Sequence, residues 1–307
     1  MEGVVLGFAT IAVVIAVGAL VAHLGIVDLA AQGVLARVSF FVATPALLVT
    51  TVARADVHDV LSRSLVATVV GVAVPATIYL LAARRWRRTA GERVVGALAS
   101  SYVNAGNLGI PIAAYVLGDA ALVAPTLLLQ LLVLQPLALA VLDADVAGRR
   151  PRAREVLVGP FTNPLTVGTL VGLVLSLTGW RLPEVVAAPV ELIGAMAVPG
   201  VLLAYGISLR LGPGFGGGVP RGELALTSTL KLAVQPLVAW AVAHHALGIS
   251  GAALLAVVVC SSLPTAQNIF VHATRYDRAT TLARDTILVT TIGAVPLIAV
   301  VVLLLGP

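Results

Sequence analysis

Residues Ser100 to Pro111 read SSYVNAGNLGIP, with two Ser, two Asn, two Gly and a Pro in twelve positions. The flanks, Val94 to Ala99 and Ile112 to Val116, are apolar, so this polar window lies inside a hydrophobic segment and not in a loop. Gly106 and Gly109 give backbone freedom, and Pro111 cannot continue a helix from upstream but suits the first turn of a new one. A helix broken there frees backbone groups that lipid cannot satisfy, so the break must line a protein-walled or watery cavity. At Ser261 to Asn268 the chain reads SSLPTAQN, and a shift of 161 lays Ser100, Ser101, Asn104, Ala105 and Asn107 on Ser261, Ser262, Thr265, Ala266 and Asn268. Pro264 takes the part of Pro111 in this second window, with Ser262 the expected helix N-cap. Each break then starts a half-helix whose N-terminus offers unpaired amides and about half a positive charge. Two such ends together make an anion site, to which Asn104, Asn107, Thr265, Gln267 and Asn268 add neutral hydrogen bonds. The competing reading is a pair of Pro-kinked helices whose polar residues bind neighbouring helices.

Other polar residues inside apolar runs extend the candidate set. Lys231, five residues before Pro236, either snorkels to the cytoplasmic face or serves a cytoplasmic vestibule that attracts the anion. Gln130, Gln135, Tyr205 and His272 are candidates for the cavity wall or for inter-helix hydrogen bonds. Asp59 and Arg63 are spaced i, i+4, as a surface pair or a coupling pair. The stretch holding Gln130 and Gln135 has no carboxylate before Asp143, which argues against a cation or proton exchanger. A single cysteine, Cys260, and no metal-ligand spacing leave no expected metal, cofactor or catalytic residue, and so no enzyme. The stretch GPGFGGG from Gly212 to Gly218 matches G-x-G-x-x-G, but no strand precedes it and a Pro lies inside it, so it reads as a turn or a hinge.

What must position these residues follows from composition. The chain is 59% hydrophobic and 11% charged, with a mean hydropathy of +1.06, and several apolar runs exceed the roughly 18 residues that cross about 30 Å of hydrocarbon. It is therefore expected to be an integral membrane protein in the plasma membrane, all-α because runs this long lack the alternation of barrel strands. Ten spans are read, at about 4–23, 34–53, 61–83, 94–117, 121–142, 162–180, 187–208, 224–246, 251–273 and 286–305. The first, after MEGVV, has no basic n-region and reads as a span and not a cleaved signal. The net charge of +5 comes from arginine, Lys231 being the only lysine. These arginines sit in short loops and orient the chain in the membrane, so nucleic acid is not an expected partner. With the N-terminus outside, the inner loops hold Arg84, Arg85, Arg87, Arg88, Arg93, Arg149, Arg150, Arg152, Arg154, Arg210, Arg221, Arg275, Arg278 and Arg284, against Arg54, Arg63 and Arg181 outside. Both termini are therefore expected outside.

Prolines extend the internal echo: Pro75 maps to Pro236 at a shift of 161 and Pro136 to Pro296 at 160, while Pro45 and Pro199 pair at 154. The expected organisation is a first five-helix repeat over 1–145, a cytoplasmic linker over 146–160 and a second repeat over 161–307. Because five is odd, the second repeat enters from the opposite side and the repeat is inverted, with spans four and nine broken and crossing.

The segments NAGNLGIP and LPTAQNIFVHATRYD, with PALLV around Pro45 and VPGVLLAYGISL around Pro199, resemble the auxin efflux carrier family, bacterial branch, over essentially the whole chain. The resemblance implies a scaffold of spans 1, 2, 6 and 7 and a transport core of spans 3 to 5 and 8 to 10, crossing at Pro111 and Pro264. It implies elevator-type movement of small organic anions, auxin in plants and carboxylates such as malate or malonate in bacteria. It also places Asn104, Gly106, Asn107 and the stretch Pro264 to Asn268 at the substrate, and likens Asp59 and Arg63 to the acidic and basic pair of plant members. The expected partners are the small organic anion, the lipid bilayer and, through the scaffold, a second copy in a homodimer. The alternative function is a passive channel or a non-transporting receptor.

Overall fold

In hydrocarbon a spanning segment must pair its own N–H and C=O groups, so apolar runs of this length become helices. The computed structural model describes residues 2–54, 63–109, 112–113, 117–118, 120–148, 164–212 and 215–306. Among these residues the structure is helical, and the only strand-like feature is an isolated antiparallel bridge between Val103 and Thr265. Among the described residues six helical stretches are long and apolar enough to cross a membrane: Leu29–Arg54, Arg63–Trp86, Pro125–Val146, Glu184–Leu211, Arg221–Ala246 and Thr280–Leu305. Shorter apolar helices occupy Ala9–His23, Pro164–Thr178 and Gly251–Ser262.

In chain order the helices are α1 (Glu2–His23), α2 (Leu29–Val38), α3 (Thr44–Arg54), α4 (Arg63–Ala82), α5 (Ala90–Ser101), α6 (Ala124–Leu129) and α7 (Gln135–Val146). They continue as α8 (Pro164–Thr178), α9 (Glu184–Ala195), α10 (Ala197–Leu211), α11 (Arg221–Thr229), α12 (Gln235–Ala241), α13 (Gly251–Ser262), α14 (Asn268–Tyr276) and α15 (Thr280–Leu305). Two helix starts differ from the sequence reading by five residues or more. The second stretch starts at Leu29 and not near 34 because Asp28 caps it, its carboxylate accepting the Ala31 N–H at 2.8 Å. The last starts at Thr280 and not at 286, since Arg284 and Asp285 pair with each other at 2.7 Å and are carried inside the helix fully buried. Asp59, most of the linker over 146–160 and the sequence from 213 to 214 lie outside the described residues.

Three prolines follow a π-turn: Ser39–Ala43 precedes Pro45, Gln130–Leu134 precedes Pro136 and Leu230–Val234 precedes Pro236. Proline lacks the N–H of the regular ladder and its ring crowds the carbonyl four residues back, and the wider turn relieves both. A π-turn also changes which face the following and preceding side chains present, a point that matters at the site.

Helix contacts are of two kinds. α1 packs on α10 and α3 on α8 through small residues, as expected where lipid supplies no hydrophobic drive for association. A Cβ on Gly206 would overlap the Ile15 carbonyl oxygen, and one on Gly168 would lie 2.6 Å from that of Pro45. The remaining helices share an apolar core that includes Val95, Leu139 and Leu255, and they are tied in addition by charge at the end carrying the arginine-rich loops. There the buried Glu223 of α11 accepts from the Tyr79 hydroxyl at 2.8 Å and from Arg88 at 2.6 Å, while Arg278 donates to Asp145 at 2.6 Å. At the other end an exposed Arg54 and Glu191 pair joins α3 to α9.

Candidate functional site

α5 stops at Ser101, where Tyr102 turns extended (φ −86°, ψ 112°). α13 stops at Ser262, with Leu263 extended (φ −58°, ψ 147°) ahead of Pro264, as a residue before proline prefers. The two extended pieces satisfy each other. Asn104 N–H donates to the Pro264 carbonyl at 2.8 Å, and Ala266 N–H donates to that of Tyr102 at 3.1 Å. This is the Val103–Thr265 bridge, and it resolves how two breaks can share one apolar interior.

Side chains complete the crossing. Gln130 serves both backbone groups of Val103, accepting from its N–H at 2.7 Å and donating to its C=O at 3.1 Å. Thr265 donates its hydroxyl to the Ala99 carbonyl at 2.6 Å, and its N–H donates to the Thr290 hydroxyl at 3.1 Å. Asn104 Nδ2 donates to Gln267 Oε1 at 2.6 Å, which ties the two windows by side chains as well. Gln235 Nε2 donates to the Ser101 carbonyl at 2.8 Å, and Lys231 Nζ to that of Ser261 at 3.0 Å.

A cavity of about 280 Å³ opens beside this crossing. One wall is the crossing itself, from Tyr102 to Gly106 with Ala266 and Asn268, together with Gln130. The opposite wall comes from α3 and α10, including Thr44, Thr51 and Val201. Its polar side chains are Thr44, Thr51, Tyr102, Asn104, Gln130 and Asn268, and among the described lining residues none is charged. The α14 N-terminus points its partial positive charge this way from Asn268, although the amides of Ile269 and Phe270 already donate to the Ala266 and Gln267 carbonyls at 3.1 and 3.0 Å.

Set against the sequence candidates, the structure places Asn104, Gly106, Gln130 and Asn268 on the cavity, and Thr265 and Gln267 behind it as supports. Pro264 supplies its carbonyl to the crossing. Pro111 and the Asn107 side chain lie outside what is described, so the second half of the first break stays an expectation. Arg63 is exposed at the start of α4, and its expected mate Asp59 is not described. Four readings are corrected. Ser262 is no N-cap, since it ends α13 and its hydroxyl donates back to Val258 at 2.7 Å. Lys231 neither snorkels nor lines a vestibule, because the π-turn directs it inward, where it is 0% exposed. His272 turns from the main cavity to a small cleft beside Phe40, ring centroids 5.8 Å apart. Gln135 is buried off the cavity, with neither amide atom hydrogen-bonded among the described residues.

The sequence reading missed Gln235, Thr290, Tyr102, Thr44 and Thr51. Gln235 had a signal, an amide directly before a proline within an apolar run, as Gln135 is before Pro136. The hydroxyls had none, because Thr is common in apolar helices and only tertiary placement gives it a role.

Residues 4–144 and 149–302 match the model of the family described as "Membrane transport protein" (Mem_trans). A curated relative from Rhizobium meliloti (strain 1021), described as "Putative malonate transporter", is 26% identical over 278 residues, which cover 86% of this chain and 84% of the relative. A multi-pass chain with two interrupted segments paired inside it, matched almost from end to end by that model, belongs to this membrane transport family, that of the auxin efflux carriers.

Proposed function

We propose that the protein is a secondary active transporter that moves a small organic anion, a mono- or dicarboxylate, by elevator-type alternating access. Its chain then forms ten spans as an inverted 5+5 repeat over 1–145 and 161–307, joined by the linker over 146–160. A scaffold of α1, α2–α3, α8 and α9–α10 holds still while the other helices form a core that carries the substrate. Both termini lie outside in this reading, and the scaffold offers the homodimer surface.

The observation that carries the proposal is the cavity of about 280 Å³, bounded by the crossing on one side and by α3 and α10 on the other. A ligand held there sits at the seam between the bundles, where a shift of one against the other changes the side to which it opens. Neutral donors and the α14 N-terminus suit a carboxylate, and the lack of acid side chains among the described lining residues disfavours a cation. The relative's printed name supports malonate as the first compound to try.

The test is counterflow of radiolabelled malonate into proteoliposomes. Saturable uptake stimulated by internal malonate is the expected result. Linear uptake indifferent to internal malonate would favour a passive channel on the same fold, and binding without flux would favour a receptor. Asn107→Ala should abolish malonate binding and leave the unfolding temperature unchanged, and retained affinity counts against this site.

A further inference from the structure

A polar stripe on α14 runs past the cavity and has no part in the site so far described. Asn268, His272 and Tyr276 are spaced i, i+4 and i+8, so they stand in line along one face, from the crossing toward the arginine-rich end. Asn268 lines the cavity, and the Tyr276 hydroxyl donates to Asp143 at 2.8 Å. Between them His272 is 1% exposed, and neither ring nitrogen has a hydrogen-bond partner among the described residues. A neutral imidazole presents one donor and one acceptor, and leaving both idle in a dry place is costly, so packing alone would favour Leu or Phe at this position.

Phe40 covers the stripe. It is held in the π-turn Ser39–Ala43, is 1% exposed, and meets the His272 ring at 5.8 Å and the Tyr276 ring at 6.3 Å, edge to face in both cases. The cleft among Phe40, Thr44, Leu165, Asn268, Val271 and His272 has no room for a water molecule. Thr44 and Asn268 also line the open cavity, so the cleft and the cavity adjoin. On α3 the cavity is lined by Thr44, Leu47, Leu48 and Thr51, all on the Arg54 side of Phe40. The packing at Phe40 therefore closes the cavity toward the arginine-rich end, where Arg275 lies over the Phe41 ring at 4.8 Å.

We propose that Phe40 is the seal of the cavity on that side, and that His272 is a binding residue for the anion, a neutral donor that it meets once α14 has slid past Phe40. Four residues of helix rise about 6 Å, so a slide of one turn brings Asn268 to the level of Phe40 and uncovers His272. The carboxylate then passes from the Asn268 amide to the imidazole N–H and on toward Arg275. This route rests on the carrier reading above, and the test therefore has an arm that needs no malonate.

Cys260→Ala removes the single native thiol, and His272→Cys is then introduced. The purified protein in mild detergent is treated with two methanethiosulfonates, one bearing a sulfonate and one a trimethylammonium group, and each rate is divided by that with free cysteine. On this scale the sulfonate reagent, itself a small organic anion, is expected to react about tenfold faster than the cation. Adding Phe40→Ala should raise its rate by about another tenfold, or Phe40→Leu by about threefold where the alanine variant does not fold. Equal rates for the two reagents, a faster cation, a thiol that neither reagent reaches, or a rate indifferent to the residue at position 40 would each overturn the proposal. Failure of His272→Cys to fold would make the imidazole a structural support and overturn it too. In the transport arm His272→Leu should lower the initial rate of malonate counterflow about tenfold, the loss of one hydrogen bond to a charged group, and His272→Gln, which keeps a neutral donor, should retain about a third of the wild-type rate. Wild-type counterflow in His272→Leu overturns the role of His272 and keeps the carrier reading. Absence of counterflow in the wild type counts against malonate transport, and the labelling rates still decide the seal and the anion route.

Discussion

The α1–α10 contact and the crossing of the two breaks both bring backbone close to backbone inside an apolar protein, by opposite means. Where α1 meets α10 the side chains are removed, and the Gly206 Cα approaches so closely that an added Cβ would collide with the Ile15 oxygen. No ladder is broken there, so no polar group needs a new partner. At the crossing the ladders are broken, and Gln130, Thr265, Gln235 and Lys231 replace the lost partners one by one. The first contact resists sliding because it is a tight fit. The second keeps two broken segments together as a unit that can move without exposing its polar groups, which is what a carried site requires.

Mutations that attack each side in turn should break or sharpen this contrast. The largest effect is expected at Gly206→Val, which pushes α1 off α10. Overpacking against backbone cannot be relieved by a rotamer change, so loss of the folded peak in size-exclusion chromatography is the expected result, whereas a folded variant would deny the tight fit. Gln130→Leu should come next. It strands the N–H of Val103 in a dry interior and takes one of two donors from its C=O, which keeps the Ala105 N–H at 2.8 Å, at a cost of about 2–4 kcal/mol, read as a large fall in denaturant midpoint with the chain still folded in mild detergent. Thr265→Val removes one hydroxyl bond and leaves the Ala99 carbonyl bare, for a smaller loss of about 1–3 kcal/mol by the same measurement. The smallest change in stability is expected at Thr51→Val, on the far wall of the cavity. There the unfolding temperature should hold while malonate affinity by calorimetry falls about tenfold, since one neutral hydrogen bond to a charged ligand is lost.

The breaks themselves were legible in the sequence, because a polar window holding a proline has no place in an unbroken helix that faces lipid. So was the likeness of the two windows, through the echo at a shift of 161, although the bond from Asn104 to Gln267 was not, since read from sequence both amides face a ligand. What the residues could not reveal was direction. Lys231 sits at a depth from which a long side chain reaches water, and depth alone favoured that outcome. The π-turn ahead of Pro236 turned it inward instead. Ser262 precedes a proline by two residues, like an N-cap, yet α13 persists to that residue and its hydroxyl bonds backwards. His272 and Gln135 share apolar surroundings with Gln130, and their placement off the cavity depends on neighbours such as Phe40 that are distant in sequence.

The π-turn at Gln130–Leu134 has a consequence for the length of the chain. Such a turn is a helix holding one residue more than its ladder needs. Deleting Leu132 alone would let the regular ladder close and would swing everything upstream by about 100° relative to α7. Gln130 would then face away from Val103, whose N–H would be left bare and whose C=O would keep only the Ala105 N–H. A shortening that removes only an apolar side chain would thus cost the crossing as much as losing the glutamine itself, so this stretch should tolerate swaps among Leu, Ile and Val but not a change in residue number.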